Sequence, residues 1–157
     1  MSAQHGASHV ADILDRRHHL ATFEERVGYA MALARQHLQE ENPSEIEHAM
    51  RLYTEDVVWE VPNRRIKYFG REAVKTNYLR LFGAVENIRF EEIDMYATPD
   101  RVFHDMWARF RLIGEGIENA PVPIGTKVKM RLVHSFHIRD GLVSREIGYE
   151  SWLIDQD

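Results

Sequence analysis

The chain contains no cysteine among its 157 residues, which removes disulfides, thiolate nucleophiles and sulfur-ligated metals at once. It has no apolar run approaching the ~18–20 residues of a membrane-spanning helix. Residues 1–19 are polar and hold no hydrophobic core of a secretion signal. These absences make the cytoplasm the expected compartment and leave no membrane partner to expect. Positive charge is also short: the formal net charge is −5, which gives no global pull toward nucleic acid. No glycine-rich phosphate loop or dinucleotide-binding fingerprint occurs.

What is present is ordinary globular material, 44% hydrophobic and 29% charged, in a length that suits one domain. Residues 1–20 read as an N-terminal extension, partly flexible, with residues 1–10 as a frayed tail. Residues 21–157 read as a single domain. Phe23, Val27, Ala30, Met31, Ala34 and Leu38 recur at helical spacing behind Thr22, a candidate N-cap. Asn42-Pro43 ends that helix, and Ser44 with Glu47 forms the sequence pattern of a second capping box. Val57–Val61 reads as a short strand stopped by Pro62, and a third helix opens at Gly70, with Gly83 near its end. Beyond Glu86 the chain becomes strand-like over 88–97, 101–114, 126–139 and 142–154, with a tight hairpin at Asp140-Gly141. Helices first and long antiparallel strands after them predict an α+β fold.

The strand 126–139 carries the first chemical signal. Val128, Met130, Leu132, His134, Phe136 and Ile138 share one face, and His134 is the only polar member of that row. In the preceding strand His104 sits in a similar row with Val102, Met106, Ala108, Phe110 and Leu112, although Phe103 and Trp107 blur the opposite face. Glu146 in the last strand cannot be assigned inward by alternation, because that strand is amphipathic in neither register. A lone histidine on an apolar face is more often a hydrogen-bonded core residue than a catalyst. Two of them on adjacent strands, with a carboxylate on the next, are the raw material of acid–base chemistry. A metal held by His104, His134 and Glu146 is geometrically conceivable, but no metal site is expected, and His5, His9, His18 and His19 suggest no fixed ligand set. Asn63-Arg64-Arg65 with Lys67 reads as a solvated basic loop.

The run Ser44-Glu45-Ile46, then Tyr53 through Pro62, then Gly70-Arg71-Glu72-Ala73-Val74 resembles the first half of the SnoaL-like, or NTF2-like, superfamily. The run from Val133 through Glu146 resembles its second half. The resemblance implies a cone-shaped α+β barrel, three helices on a curved, mainly antiparallel sheet, often paired as a homodimer through the sheet's outer face. It implies no organic cofactor. His134 falls where the family's ketosteroid isomerases keep an oxyanion-stabilising aspartate. Glu146 falls where cyclases, epoxide hydrolases and phenazine-biosynthesis enzymes keep a catalytic carboxylate. Val61 occupies the isomerases' general-base position, Met106 and Ala108 stand where epoxide hydrolases keep arginine and aspartate, and Asn77 replaces the phenazine enzymes' helix histidine. The segment from Leu14 to Thr22 is nevertheless similar to the phenazine group, the nearest named relatives.

The expected function is that of a cofactor-free acid–base enzyme on a small, largely apolar, carbonyl-bearing metabolite. Glu146 is the expected base or proton shuttle, His134 the acid or oxyanion donor, and His104 the residue that orients substrate or Glu146. Trp59, Tyr53, Asn77, Tyr78, Met106, Met130, Phe136 and Trp152 are the expected substrate-binding residues. The competing expectation is a protein that binds a small molecule or assembles through this fold without chemistry.

Overall fold

Residues 2–39 and 42–157 are described by a computed structural model. In chain order they form α1 (Ser2–Arg16), α2 (Phe23–Gln39), α3 (Ile46–Met50), β1 (Tyr53–Val61), a 3-10 turn (Pro62–Arg64), β2 (Ile66–Phe69), α4 (Arg71–Gly83), β3 (Val85–Thr98), β4 (Arg101–Leu112), β5 (Lys127–Arg139) and β6 (Leu142–Ile154). The three expected helices are α2, α3 and α4. The tail expected to fray is instead helical from Ser2 onward. Val10, Ile13 and Leu14 share one side of α1 at i, i+3, i+4 spacing, and the core covers Val10 completely.

Helix α2 starts as its sequence demands. The Glu25 N–H donates to Thr22 Oγ1 at 3.1 Å, and the Thr22 N–H donates to Glu25 Oε2 at 3.0 Å. The second capping box does not form. Ser44 is hydrogen-bonded to Asn42 Oδ1 at 2.6 Å, Glu47 pairs with Lys75 of α4, and α3 begins at Glu45 without a side-chain cap.

The six strands form one curved sheet in the order β2-β1-β6-β5-β4-β3. All neighbours are antiparallel except β1 and β6, which run parallel. The Asp140-Gly141 turn joins β5 to β6 with φ of 53° and 74°, the left-handed pair that a two-residue hairpin requires. Tyr29 of α2 donates to the Gly141 carbonyl at 2.6 Å and fastens the helix to this turn. Strand β2 was not foreseen; it is four residues long and follows immediately on a charged turn, too short to show alternation.

The concave face of the sheet holds two apolar clusters. One gathers α1, α2 and α3 over β1, with Tyr29, Leu33, Leu52 and Tyr53 fully or nearly fully buried. The other surrounds Phe110, Leu112, Val128 and Met130, closed by Ile117 from the loop after β4. That loop lies so close to α4 that a Cβ on Gly116 would collide with the Arg80 carbonyl, which explains a glycine there. On the convex face two cations of β5 lie over Trp107, with Lys129 Nζ 4.6 Å and the Arg131 guanidinium 5.0 Å from the ring centre. This accounts for the aromatic residue on the outer parity of β4.

Candidate active site

Between α4 and the concave face lies a cavity of about 240 Å³. Its walls are mostly apolar, with Trp59, Phe82, Phe110, Met130, Leu132 and Trp152 among them. Polar groups interrupt the wall at two main stations. Tyr78, His134 and Glu146 form one, and Arg64 with Glu150 forms the other. Along β6 the residues Glu146, Gly148, Glu150 and Trp152 all line the cavity, as period-two alternation requires.

Alternation could not place Glu146 because β6 is not in one register. The pairing with β5 shifts between His137 and Ile138, so Val143 and Glu146, three residues apart, both point inward. Glu146 is 1% exposed. Its carboxylate accepts the Tyr53 hydroxyl proton at Oε2 and the Tyr78 hydroxyl at 3.0 Å from Oε1. His37 Nε2 lies 3.2 Å from Oε2 and 2.8 Å from the Tyr53 oxygen. Because the single hydroxyl proton of Tyr53 goes to Glu146, His37 Nε2 is the donor toward this pair. Tyr78 in turn accepts from Trp59 Nε1 at 3.1 Å. Burial is the strongest single influence on Glu146 and pushes its pKa up. The charge and hydrogen bond of His37, the charge of His134 and the Tyr53 hydroxyl together outweigh it and bring the pKa down to about 2. Glu146 is therefore an ionised carboxylate at the wall of an apolar cavity.

His134 stands beside it, with Nε2 3.7 Å from Glu146 Oε1, too long for a direct hydrogen bond. Phe136 supports the imidazole from below at 5.3 Å between ring centres. On its other side His134 Nδ1 meets His104 Nδ1 at 3.4 Å, as expected for residues directly opposite in the β4–β5 ladder. His104 Nε2 reaches Glu92 Oε2 of β3 at 3.3 Å, and Glu92 also pairs with Arg35 of α2 at 3.2 Å. The two nitrogens of His134 thus serve different partners, and His104, His134 and Glu146 do not converge on one point. Among the described residues no group of three ligating side chains is arranged to hold a metal ion.

Of the expected site residues, Glu146, His134, Trp59, Tyr78, Met130 and Trp152 line the cavity. His104 does not; it meets His134 from behind rather than Glu146 or the cavity. Tyr53 lies behind Glu146 and touches it through the hydroxyl. Phe136 is fully buried beneath His134, and Met106 is buried on β4 away from the cavity. Asn77 is one position from Tyr78 on α4, hence turned roughly 100° away, and its amide nitrogen has no hydrogen-bond partner among the described residues.

Two participants were missed. His37 shares the buried face of α2 with Ala30, Leu33 and Ala34, so it was readable as the one ring nitrogen in an apolar stripe. Arg64, expected in a solvated loop, is 5% exposed. It donates to Glu150 Oε2 at 2.9 Å and to the Glu118 carbonyl at 2.7 Å, at the cavity wall. Its basic neighbour Lys67 does face outward, where it and Arg145 pair with Glu60.

Comparison with solved structures finds the same fold. An NTF2-like protein from Burkholderia xenovorans matches with a TM-score of 0.66 at 15% identity, over 83% of this chain and 92% of its own. A protein provisionally named a SnoaL-like polyketide cyclase from Shewanella putrefaciens matches at 0.64 and 18% identity, over 76% and 88%. An LEH-like epoxide hydrolase from M. tuberculosis matches at 0.62 and 14% identity, over 80% and 84%. No curated protein matches the sequence significantly. The model of the SnoaL-like domain matches residues 34–146, from the middle of α2 to the buried carboxylate itself, and the chain belongs to the SnoaL-like family.

Proposed function

We propose that this chain is a cofactor-free acid–base enzyme acting on a small, largely apolar metabolite that bears a carbonyl. The reaction class is cyclisation, isomerisation, condensation or dehydration, each of which removes one proton and delivers another. One observation carries this reading: an ionised, buried Glu146 and the His134 imidazole face the same apolar cavity 3.7 Å apart, leaving room for a substrate atom or water against both. The donors around Glu146 make it a weak base, so its part is that of a resident negative charge. That charge stands 3.7 Å from His134, which moves the proton at the cavity wall. Tyr53, Tyr78 and His37 hold the charge in place, as preorganised dipoles do in a dry site. His104 acts through His134.

The protein is further proposed to pair as a homodimer through the convex face of the sheet. Tyr96 and Phe103 stack there at 4.6 Å, and Tyr149, on β6 of the same face, is 48% exposed.

The test uses small apolar cyclic ketones in D2O, with α-proton exchange followed by NMR and binding followed through Trp59 and Trp152 fluorescence. The wild type is expected to accelerate exchange, and Glu146→Gln to lower the rate about 10²–10³-fold while binding persists. Equal exchange by both proteins with binding intact sinks the enzymatic reading in favour of a protein that binds without chemistry.

A further inference from the structure

We infer that Glu92 and His104 are positioning residues that fix the protons of His134, so that Nε2, on the Glu146 side, is the nitrogen that gains and loses a proton. This rests on the proposed acid–base role of His134 for its use, but not for its test.

The contacts run from the surface inward. Glu92 is a carboxylate with a 43% exposed side chain, and an ionised carboxylate only accepts hydrogen bonds. The ring nitrogen facing it, His104 Nε2 at 3.3 Å, therefore carries a proton. A neutral imidazole has one N–H, so His104 Nδ1 presents a lone pair. His134 Nδ1, 3.4 Å from that lone pair, must then be the donor. The remaining nitrogen, His134 Nε2, is bare in the neutral ring. Its 3.7 Å separation from Glu146 Oε1 agrees, since two acceptors do not close to hydrogen-bond distance. When His134 takes up a proton, the only vacant position is Nε2.

The charged groups around the pair favour the same order. From β6, Glu146 faces His134 Nε2 at 3.7 Å, while Tyr78 of α4 and His37 of α2 share that carboxylate. From β3, Glu92 holds His104 Nε2–H and also pairs with Arg35 of α2. Asp105 lies next to His104 in sequence but is committed to Arg131 on the convex face at 2.6 Å.

A histidine with a bare Nε2 enters a reaction on a neutral substrate as a proton acceptor. It becomes a donor to an oxyanion only after it has taken that proton. The carboxylate on β3 and the histidine on β4 thus decide which half-reaction His134 performs first, although neither lines the cavity.

The test is a pH titration of the protein labelled with 15N-histidine, using long-range proton–nitrogen correlations. His134→Gln and His104→Gln spectra supply the assignments. In the wild type, His134 Nδ1 is expected to stay protonated throughout, while Nε2 moves from a bare to a protonated shift as pH falls. In Glu92→Leu the order loses its anchor, and both His134 nitrogens are expected at intermediate shifts. Glu92 lies on the exposed edge strand, so the variant keeps the fold. A wild-type His134 with a bare Nδ1, or a Glu92→Leu spectrum that retains the wild-type pattern, overturns the inference. The spectra need no substrate. A correct pattern in a protein that never exchanges ketone protons would count against the enzymatic reading alone, and a wrong pattern in an active protein against this inference alone.

Discussion

Replacing Tyr53 by phenylalanine removes one of the donors that keep Glu146 ionised and leaves the ring in place. The hydroxyl is buried, lies behind the cavity wall and gives its proton to Glu146 Oε2. A hydrogen bond to a charged group contributes about 1.5–3 kcal/mol, and one pKa unit corresponds to about 1.4 kcal/mol. Tyr53→Phe is therefore expected to cost about 1.5–3 kcal/mol at neutral pH and to raise the Glu146 pKa by about one to two units.

The pH dependence follows from the sign of that shift. Glu146 has a folded pKa below its unfolded one, so the stability it contributes is complete above the unfolded value of 4.5 and is lost as pH falls toward about 2. In Tyr53→Phe the loss begins at the same pH, set by the unfolded state, but is complete at a higher pH, because there is less to lose. The stability gap between the two proteins is thus full at pH 7 and shrinks under acid, to roughly half to three-quarters of its size near pH 3. Urea unfolding of both proteins at pH 7 and pH 3 measures it. A gap that is absent at pH 7, or that keeps its full size at pH 3, would refute the claim that Tyr53 works by holding a charge.

Arg64→Ala leaves Glu150 as an uncompensated carboxylate at the cavity wall and is expected to cost about 3–5 kcal/mol in urea unfolding. Unchanged stability would mean that Glu150 is served by Trp152 Nε1, 2.7 Å away, without the arginine. The proposed pairing through the convex face predicts a mass of two chains in light scattering, and Tyr149→Asp is expected to shift that mass toward one chain. A wild-type mass of one chain at micromolar concentration rejects the pairing.

Much of the fold was legible because its signals are local. The Asp140-Gly141 turn, the period-two rows of β4 and β5, and the Thr22 start of α2 each depend on a few neighbouring residues. The misses have equally physical causes. Ser44 and Glu47 spell a capping box, but Asn42 and Lys75 take their side chains. Helix α1 was hidden by its polar composition, since three apolar residues are enough to dock it on the core. Arg64 could not be distinguished from Arg65 in sequence, because the partner that draws it inward lies 86 residues away.

The site itself divides along the same line. His134 announced itself as a polar residue in an apolar row, and His37 on α2 made the same announcement unheeded. Glu146 was silent in the pattern of its own strand and was suggested only by resemblance. The reason is the register shift beside His137, which turns two residues of unequal parity to the same side. Without that shift Glu146 would face the convex surface among arginines and lysines, and Arg145 would face the cavity instead. A single displaced residue therefore decides which charge enters the apolar chamber. A local rule broken where the fold otherwise obeys it is what a constructed site looks like, and here the break carries the one ionised group that the surrounding tyrosines and histidine are arranged to receive.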